Sequence, residues 1–282
     1  MIEILITGAS GFVGKHLNKR LEDKGYNVAH LVRKEKGFKN EFIWDFKGEL
    51  PHDLPACNVI IHLAAYVGFS LEFDIERYNV NTISTIKLSA YAKSCNAYFI
   101  LASMVGVHGS IYTKIGKDTP LGPDNHYALS KYVAEEVVKT HLDDYSIIRI
   151  CGIYGIKGPS HMGLNKAITD AVCLKIPPVL NGTGKAKRNY ICVSDVALWI
   201  MDLLNKYEAR KASETKRIYE TLYLASPEIM NIKQYLQTII DVVLPNEEIV
   251  MMEGEEASDM IVKPSIAPFR LQTFREYLVS LV

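Results

Sequence analysis

Cysteine is scarce in this chain and follows no metal-binding or disulfide pattern. There is no CxxC pair and no histidine at ligand spacing; the five cysteines are Cys57, Cys95, Cys151, Cys173 and Cys192. An odd, scattered set argues against a disulfide framework and against a zinc site. We therefore expect reduced, buried cysteines and no bound metal.

Long hydrophobic runs and an excess of charge of one sign are also missing. No apolar stretch approaches the ~20 residues of a membrane span, and no basic segment with a cleavage site precedes the first strand. Lysine plus arginine equals aspartate plus glutamate at 32 each, so no net field attracts nucleic acid or an anionic membrane. These absences predict a cytoplasmic protein whose partners are small molecules.

Short apolar runs alternate with amphipathic stretches through the first half of the chain. The runs read IEILIT, YNVAHLV, NVIIHLA, YFILA and SIIRI, and helical patterns lie between them. Continuous apolar strands are buried on both faces, which indicates a parallel sheet covered by helices. The prediction is an α/β protein with a doubly wound parallel (Rossmann) sheet and a smaller C-terminal domain.

Three glycines follow the first strand and open a helix in the segment TGASGFVG. They are Gly8, Gly11 and Gly14. Glycine permits a tight turn and a close approach of the backbone to a pyrophosphate, whose charge would meet the N–H groups at the helix start, around Phe12 and Val13. The pattern predicts a dinucleotide site; the alternative is a turn that serves only helix–strand packing.

The alternation of strands and helices ends near residue 150, where glycine and proline begin to interrupt the sequence. We therefore expect residues 1–150 to form the dinucleotide-binding domain, rejoined by residues at about 187–207. Residues 151–282 are expected to form a smaller substrate-binding part.

Several segments together resemble the extended branch of the short-chain dehydrogenase/reductase family, in particular its NAD(P)-dependent epimerases and dehydratases. They are TGASGFVG, WDF, HLAA, YALSK, RICGIYG and RNYICVSDVA, in the family's order between Ile2 and about Ala197. The resemblance implies that residues 81–93 and 127–141 form the contact of a homodimer. It also implies cofactor contacts at Asp45, Phe46, Leu63, Ala64, Ala65 and Asn81.

The end of the second strand bears on the choice of cofactor. NAD-specific folds place an acidic residue there to hold the ribose 2′-hydroxyl. This strand ends instead in Val32, Arg33 and Lys34. A guanidinium with no carboxylate beside it suits a 2′-phosphate, which favours NADP over NAD. NAD stays open, because both cations could point into water.

Tyr127 and Lys131 stand four residues apart at the start of a predicted helix, so both side chains project from one face. A free tyrosine with a pKa near ~10 is a poor base at neutral pH, and an adjacent ammonium would lower that pKa. The resemblance implies that the tyrosine exchanges a proton with the substrate and that the lysine also holds the nicotinamide ribose. A second pair at this spacing, Tyr207 and Lys211, is interpreted as solvated.

The family's third catalytic residue is a serine or threonine just past the fifth strand, here in ILASMVGVHG. Ser103 is the only hydroxyl in reach and is our candidate. Alignment of His108-Gly109 with the family's Tyr-Gly would instead place Met104 in this position. A methionine there would slow or alter the reaction.

Residues of the second half bear on the substrate. Arg188 matches an arginine that clamps the diphosphate in nucleotide-sugar members of the family, and NGTG at 181–184 resembles their GxG loop. Gly152 stands where those enzymes typically have an asparagine. Arg149 and Arg188 could instead be structural ion-pair donors.

The interpretation that accounts for most motifs is an epimerase or dehydratase acting on a nucleotide sugar through transient hydride transfer. Two alternatives remain. One is an NADPH-dependent reductase of a small carbonyl substrate, favoured by Arg33, Lys34 and Gly152. The other is an NAD(P)-binding sensor or scaffold without turnover.

Overall fold

The computed structural model describes residues 3–68, 72–213 and 217–282. The chain divides into two compact units: unit 1 comprises Met1–Ser110, Pro120–Arg149 and Ala197–Leu222, and unit 2 comprises Ile111–Thr119, Ile150–Val196 and Tyr223–Val282. The predicted boundaries differ from this division in three places, the smallest being Ile150, which lies in unit 2. Residues 111–119 belong to unit 2, and the segment that returns to unit 1 is 197–222 and not 187–207.

The elements follow one another in a β/α series and then in shorter pieces. The strands are β1 (Glu3–Thr7), β2 (Asn27–Val32), β3 (Glu41–Ile43), β4 (Val59–His62), β5 (Tyr98–Met104), β6 (Lys114–Ile115), β7 (Tyr145–Ile150), β8 (Ile153–Tyr154), β9 (Val179–Asn181), β10 (Lys187–Arg188), β11 (Ile191–Cys192), β12 (Tyr219–Leu224), β13 (Met230–Asn231), β14 (Val250–Met252) and β15 (Ile261–Val262). The helices are α1 (Phe12–Asp23), α2 (Ile75–Tyr78), α3 (Ser84–Cys95), α4 (His126–His141), α5 (Gly163–Thr169), α6 (Val193–Ser213), α7 (Ile232–Val243) and α8 (Phe274–Val279). Between α2 and α3 the backbone forms a π-helical turn, Asn79–Ile83.

A seven-stranded sheet has the order β12-β7-β5-β4-β1-β2-β3. Its central strands run parallel in register, with Ile4 of β1 opposite Val28 of β2 on one side and Val59 of β4 on the other. The apolar runs of these strands are almost wholly buried, as expected for a sheet with helices on both faces. The predicted doubly wound α/β fold is confirmed.

The direction of the strands decides where a ligand can bind in unit 1. The parallel strands β1, β4 and β5 end at Thr7, His62 and Met104, so these residues share one edge of the sheet. In open α/β sheets, ligands bind outside the carboxyl ends of the strands. The glycine turn and the HLAA segment therefore lie at the edge where a cofactor is expected.

Unit 2 combines short strand pairs with helices. The pairs β8–β11, β9–β14 and β6–β15 are parallel, and β10–β13 is antiparallel. Helix α7 begins with a capping box in which Asn231 and Gln234 exchange hydrogen bonds. Its apolar face packs with α5 and α8 in a core that includes Ile168, Tyr235 and Phe274.

Two features are absent from the described residues. No helix among them is long and apolar enough to cross a membrane. Within the same part of the chain, no group of histidine, cysteine, aspartate and glutamate side chains is arranged to hold a metal ion.

Candidate active site

The glycine turn after β1 is required by the packing of the chain itself. Gly8 has a φ of +74°, and a Cβ added there would lie 2.6 Å from the Ala64 nitrogen. A Cβ on Gly14 would lie 2.1 Å from the Gly8 carbonyl oxygen. Packing therefore explains these two glycines whether or not a cofactor is bound.

The start of α1 offers the hydrogen-bond donors that a pyrophosphate needs. Helix α1 begins after Gly11, whose N-cap position provides no side-chain acceptor, and its first turn contains no acidic residue. The N–H groups at a helix start have no partner within the helix, and the helix dipole favours an anion there. Phe12 and Val13 thus lie at a site suited to a phosphate group.

The HLAA segment is hydrogen-bonded to the end of β1. The backbone N–H of Ala64 donates to Thr7 Oγ1 at 3.1 Å, and that of Leu63 to the Thr7 carbonyl at 3.2 Å. His62 Nδ1 lies 2.7 Å from Thr7 Oγ1. Burial, together with the charge of Lys131, lowers the pKa of His62 to about 3, so this histidine stays neutral. These bonds hold residues 63–65 beside the glycine turn.

Helix α4 places Tyr127 and Lys131 on successive turns. Asn125 caps the helix by accepting a hydrogen bond from the Ala128 N–H at 2.9 Å, which fixes the helix start at His126. Lys131 is 2% exposed, and its Nζ has no hydrogen-bond partner within the described chain. Burial lowers the pKa of Lys131 to about 8. An ammonium in this position needs a polar ligand group, because burying an unpaired charge is costly.

The pKa of Tyr127 differs from the sequence-based expectation. Burial raises it to about 12, whereas we expected the neighbouring ammonium to lower it. In the protein without ligand, loss of hydration around the phenol therefore outweighs any effect of Lys131. Positive charge from a bound group, or a hydrogen bond donated to the phenolate, would lower the pKa of Tyr127.

Asn81 lies in the π-helical turn and joins two parts of the site. Its Nδ2 donates to Ser130 Oγ at 2.9 Å and to the Tyr66 carbonyl at 3.1 Å, while its Oδ1 accepts from the Tyr66 N–H at 2.8 Å. Both amide N–H donors are therefore used within the protein. π-helical turns occur frequently at functional sites. In this structure Asn81 links the segment after β4 to α4, and contact with a cofactor stays a prediction.

Ser103 donates a hydrogen bond to a buried ion pair. Its Oγ lies 2.5 Å from Glu135 Oε1, and Glu135 also pairs with Arg149, whose Nη2 lies 2.6 Å from Oε2. Arg149 Nη1 lies 3.3 Å from Nε2 of His108, which accepts because its Nδ1 donates to the Pro120 carbonyl at 2.9 Å. With its proton committed to Glu135, Ser103 in this arrangement cannot donate to a substrate oxygen.

This network was not predicted, although Arg149 was considered as an ion-pair donor. Two signals in the sequence pointed to it. Arg149 interrupts the apolar run SIIRI, and Glu135 follows Lys131 by one helical turn. Met104, the alternative to Ser103, is the next residue of β5, and successive side chains of a strand point to opposite faces. Which of the two lies against a substrate stays a prediction.

In the WDF segment, the Asp45 side chain is exposed to solvent, and the two aromatic side chains are buried in the core. Asp45 is exposed, and its Oδ1 accepts from the N–H groups of Lys47 and Gly48 at 2.8 and 2.9 Å, which holds its pKa below the usual range. Phe46 is buried, with its ring centroid 4.7 Å from that of Trp44. The Phe46 ring is therefore part of the core, and cofactor contacts at Asp45 and Phe46 stay a prediction.

The two arginines predicted to bind phosphate groups differ in their surroundings. Arg33 is exposed just after the last residue of β2, Val32. Arg188, in unit 2, donates from Nη1 to the carbonyls of Lys187 and Ser258. Among the residues that the structure describes, neither arginine forms an ion pair, so both keep N–H groups that an anion could accept.

The second tyrosine–lysine pair lies in a different environment from the one predicted. Tyr207 is buried and stacks on Tyr98, with 5.4 Å between centroids and 3° between planes. Arg210 lies over the Tyr207 ring at 5.1 Å. The interpretation of this pair as solvated is therefore wrong for Tyr207, whose ring is part of the core.

The sheet order, the glycine turn at the start of α1 and the position of α4 define a doubly wound protein of the dinucleotide-binding class. The model of the NAD dependent epimerase/dehydratase family matches residues 4–220. The chain belongs to this family and is an enzyme of the extended short-chain dehydrogenase/reductase type.

Individual relatives give the range of activities found among similar proteins. The UDP-glucose 4-epimerase of Mycolicibacterium smegmatis is 26% identical over 222 residues, which cover 68% of this chain and 70% of the relative. UDP-glucuronic acid decarboxylase 1 of Xenopus tropicalis is 25% identical, over 99% of this chain and 69% of the relative. The structure of UDP-glucuronic acid 4-epimerase from Bacillus cereus in complex with NAD is similar in fold, with a TM-score of 0.77, 16% identity and coverage of 99% and 94%.

Proposed function

We propose that this protein binds a nicotinamide dinucleotide in unit 1 and converts a nucleotide sugar by transient oxidation at a sugar carbon. The observation that supports this most strongly is Lys131, a buried ammonium without a hydrogen-bond partner in the described chain. It follows Tyr127 by one helical turn at the edge of the sheet where ligands bind. A cofactor ribose and a substrate oxygen would supply the missing polar contacts.

The residues at this edge fit such a cofactor. The turn at Gly8, Gly11 and Gly14 and the uncapped start of α1 would hold its pyrophosphate. Leu63, Ala64 and Ala65 would line its adenosine half, since they are held beside the turn. When bound, the nicotinamide supplies the acceptor and donor of hydride, and the positive charge of its oxidised form would favour the phenolate of Tyr127.

The side chains of α4 would perform the proton transfer. Tyr127 takes a proton from the sugar hydroxyl as that carbon is oxidised and returns it when the carbonyl is reduced. Lys131 stabilises the phenolate by its charge, which requires it to stay protonated; with its pKa lowered to about 8, it is mostly charged at neutral pH. While the Ser103 hydroxyl donates to Glu135, it can only accept a hydrogen bond from the substrate. To donate to the substrate, it would first have to break its hydrogen bond to Glu135.

The substrate class is proposed from the relatives and from Arg188. The relatives named above act on UDP-sugars, as their names state. The Arg188 side chain donates from Nη1 to two carbonyl oxygens and forms no ion pair with the described residues, so its other N–H groups could bind a diphosphate. A nucleotide sugar satisfies both observations.

Mass spectrometry of the denatured protein tests this proposal. An enzyme that oxidises and re-reduces one substrate keeps its cofactor, so purified protein should release a nicotinamide dinucleotide in near-stoichiometric amount. Incubation with a panel of UDP- and dTDP-sugars should then give an isomer or a dehydrated product without added cofactor. Protein that is empty and inactive until free NADPH is added would reject the proposal.

A second candidate, a reductase of a small carbonyl substrate, is favoured by two features of unit 2. A side chain at Gly152 would collide with the Tyr190 ring, whose Cδ1 lies 2.3 Å from the place of a Cβ. The N–H and hydroxyl of Thr183, in the GxG-like loop, both donate to Glu256, at 2.8 and 2.6 Å. Position 152 therefore lacks the asparagine of the nucleotide-sugar pattern. The Thr183 N–H already donates to Glu256, so it is not available to a substrate phosphate.

A preference for NADP over NAD is proposed from Arg33. Because this guanidinium is exposed at the end of β2 and forms no ion pair in the described chain, a 2′-phosphate could bind it. Arg33→Ala should weaken NADP binding by about tenfold or more and change NAD binding little, since a charge-assisted hydrogen bond contributes about 1.5–3 kcal/mol. Titration of both nucleotides by calorimetry checks this. Equal affinities for NADP and NAD in the wild type would exclude the preference.

A homodimer is proposed through α3 and α4. Three apolar side chains on these helices and the preceding turn are 37% exposed: Ile83, Ile86 and Leu129. We expect light scattering at micromolar concentration to give twice the mass of the chain. Ile86→Glu should produce monomers, because it places a charge in the buried contact. A monomeric wild type would refute this assembly.

A further inference from the structure

Arg77 in α2 is a buried cation without the partners that such a group requires. Arg77 is 2% exposed, and its Nε and Nη1 have no hydrogen-bond partner within the described chain. No carboxylate of the described residues lies within ion-pairing distance of it. Arginine is almost never fully buried unless it is paired, since desolvation of the charge is costly.

The surroundings of Arg77 hold the guanidinium but do not accept its protons. Its Cζ lies 5.9 Å from the centroid of the Tyr66 ring, a cation–π contact. Its Nη2 packs against Gly68, where a Cβ would lie 2.9 Å away. Asp74, the N-cap of α2, accepts from the Glu76 N–H at 2.9 Å and forms no ion pair with Arg77 among the described residues. Within the described residues, Nε and Nη1 of the guanidinium therefore have no acceptor, and a bound anion could supply one.

Two hydrogen bonds join the segment of Arg77 to the turns of α4 that contain Tyr127 and Lys131. Tyr78, the next residue, has its hydroxyl 2.8 Å from Nδ1 of His126, which precedes Tyr127. Asn81, one turn further, donates to Ser130, which precedes Lys131. Lys131 and Arg77, two buried cations with N–H groups that have no hydrogen-bond partner among the described residues, therefore belong to segments of unit 1 that are hydrogen-bonded to each other.

We propose that Arg77 is an anion-binding residue of the site defined by Tyr127 and Lys131, and that its ligand is an oxyanion, either phosphate or carboxylate, of a molecule bound there. A planar guanidinium matches both groups, because its fork of N–H donors pairs with two oxygens. The proposal rests on the proposed function for the identity of these molecules. The oxyanion can come from the cofactor pyrophosphate, the nucleotide-sugar diphosphate, or a carboxylate on the sugar.

Arg77→Met tests this, because methionine keeps most of the apolar stem while removing the charge. In the ligand-free protein we expect a midpoint of thermal unfolding that is higher by about 2–4 °C, since an unpaired buried charge is removed. Arg77→Lys keeps the charge and loses the planar fork. Arg217→Met is the matched control, because Arg217 is an exposed arginine of unit 1 paired with Asp143 at 2.5 Å.

Binding of three probes identifies the source of the oxyanion. The probes are NAD, UDP-glucose and UDP-glucuronic acid, the last two differing in a carboxylate on the sugar. A loss of about tenfold or more for NAD alone assigns the pyrophosphate, and an equal loss for both UDP-sugars assigns their diphosphate. A loss confined to UDP-glucuronic acid assigns a sugar carboxylate.

The proposal is overturned if Arg77→Met leaves all three affinities at the values of the Arg217→Met control, whichever way the unfolding midpoint moves. That result would make Arg77 a structural residue packed on Tyr66. If Arg77→Met does not fold, Arg77→Lys decides: unchanged affinities overturn the proposal, and a loss for any probe supports it. Because these readouts are binding constants, a wild type that binds the probes without turnover rejects the proposed function alone.

Discussion

Tyr127→Phe is expected to abolish turnover while leaving cofactor binding intact. The substitution removes the phenolic oxygen and keeps the ring, and Tyr127 is the one proposed proton carrier of the site. Loss of a positioned acid/base costs on the order of 10²–10⁴-fold in rate. Steady-state kinetics with the true nucleotide sugar, together with a titration of NAD or NADP, measures both effects. We expect kcat to fall by this factor and the Kd of the cofactor to change by less than about threefold.

Tyr207→Phe is the matched control for this experiment. It has the same spacing to a lysine, and its ring is buried against Tyr98, so both substitutions remove one hydroxyl from a packed or half-packed ring. Turnover in Tyr207→Phe should stay within about twofold of wild type, since no catalytic role is assigned to it. Equal rates in the Tyr127 and Tyr207 variants would show that the wrong tyrosine has been assigned.

Glu135→Gln is expected to destabilise the protein by about 3–5 kcal/mol, because it removes the buried carboxylate that pairs with the Arg149 guanidinium. The carboxylate is fully buried, accepts from Ser103 and pairs with Arg149 at 2.6 Å. Glutamine preserves the shape but cannot balance the charge. Urea denaturation of the ligand-free protein, followed by far-ultraviolet circular dichroism, measures the change in the free energy of unfolding.

Glu136→Gln is the control, one residue further along the same helix. Its carboxylate is 43% exposed and pairs with Lys139 at 2.7 Å, and exposed pairs of this kind contribute about 0.2–1 kcal/mol. The two variants should therefore differ by at least about 2 kcal/mol. Similar losses in both would contradict this prediction, because the buried Glu135–Arg149 pair would then contribute no more than an exposed ion pair.

The parts of the fold that the sequence predicts correctly are those fixed by local patterns. Buried strands are visible as continuous apolar runs, and the turn at Gly8 and Gly14 is visible because any side chain there would collide with the backbone. The start of α4 is equally local, since Asn125 is a strong N-cap residue placed before a helical pattern. These features depend on residues a few positions apart.

Long-range contacts explain what the sequence could not predict. Residues 111–119 belong to unit 2 because Lys114 pairs with Ile261, which is nearly 150 residues away in sequence. The burial of Tyr207 follows from its stacking on Tyr98. The hydrogen bond from Ser103 to Glu135 depends on how several elements pack together. The same is true of the lack of hydrogen-bond partners for Arg77 Nε and Nη1 within the described residues. No local pattern contains this information.

In the proposed reaction, hydride leaves one nucleotide sugar and returns to the same molecule at the site of Tyr127 and Lys131. The most direct test incubates the protein, without added cofactor, with UDP-glucose and UDP-glucuronic acid deuterated at the carbon to be oxidised, and locates the deuterium by nuclear magnetic resonance. The account predicts a converted product that retains the deuterium within the same molecule, and none of this product with Tyr127→Phe. Conversion in which the deuterium exchanges with water or with free cofactor, or full conversion by Tyr127→Phe, would contradict it.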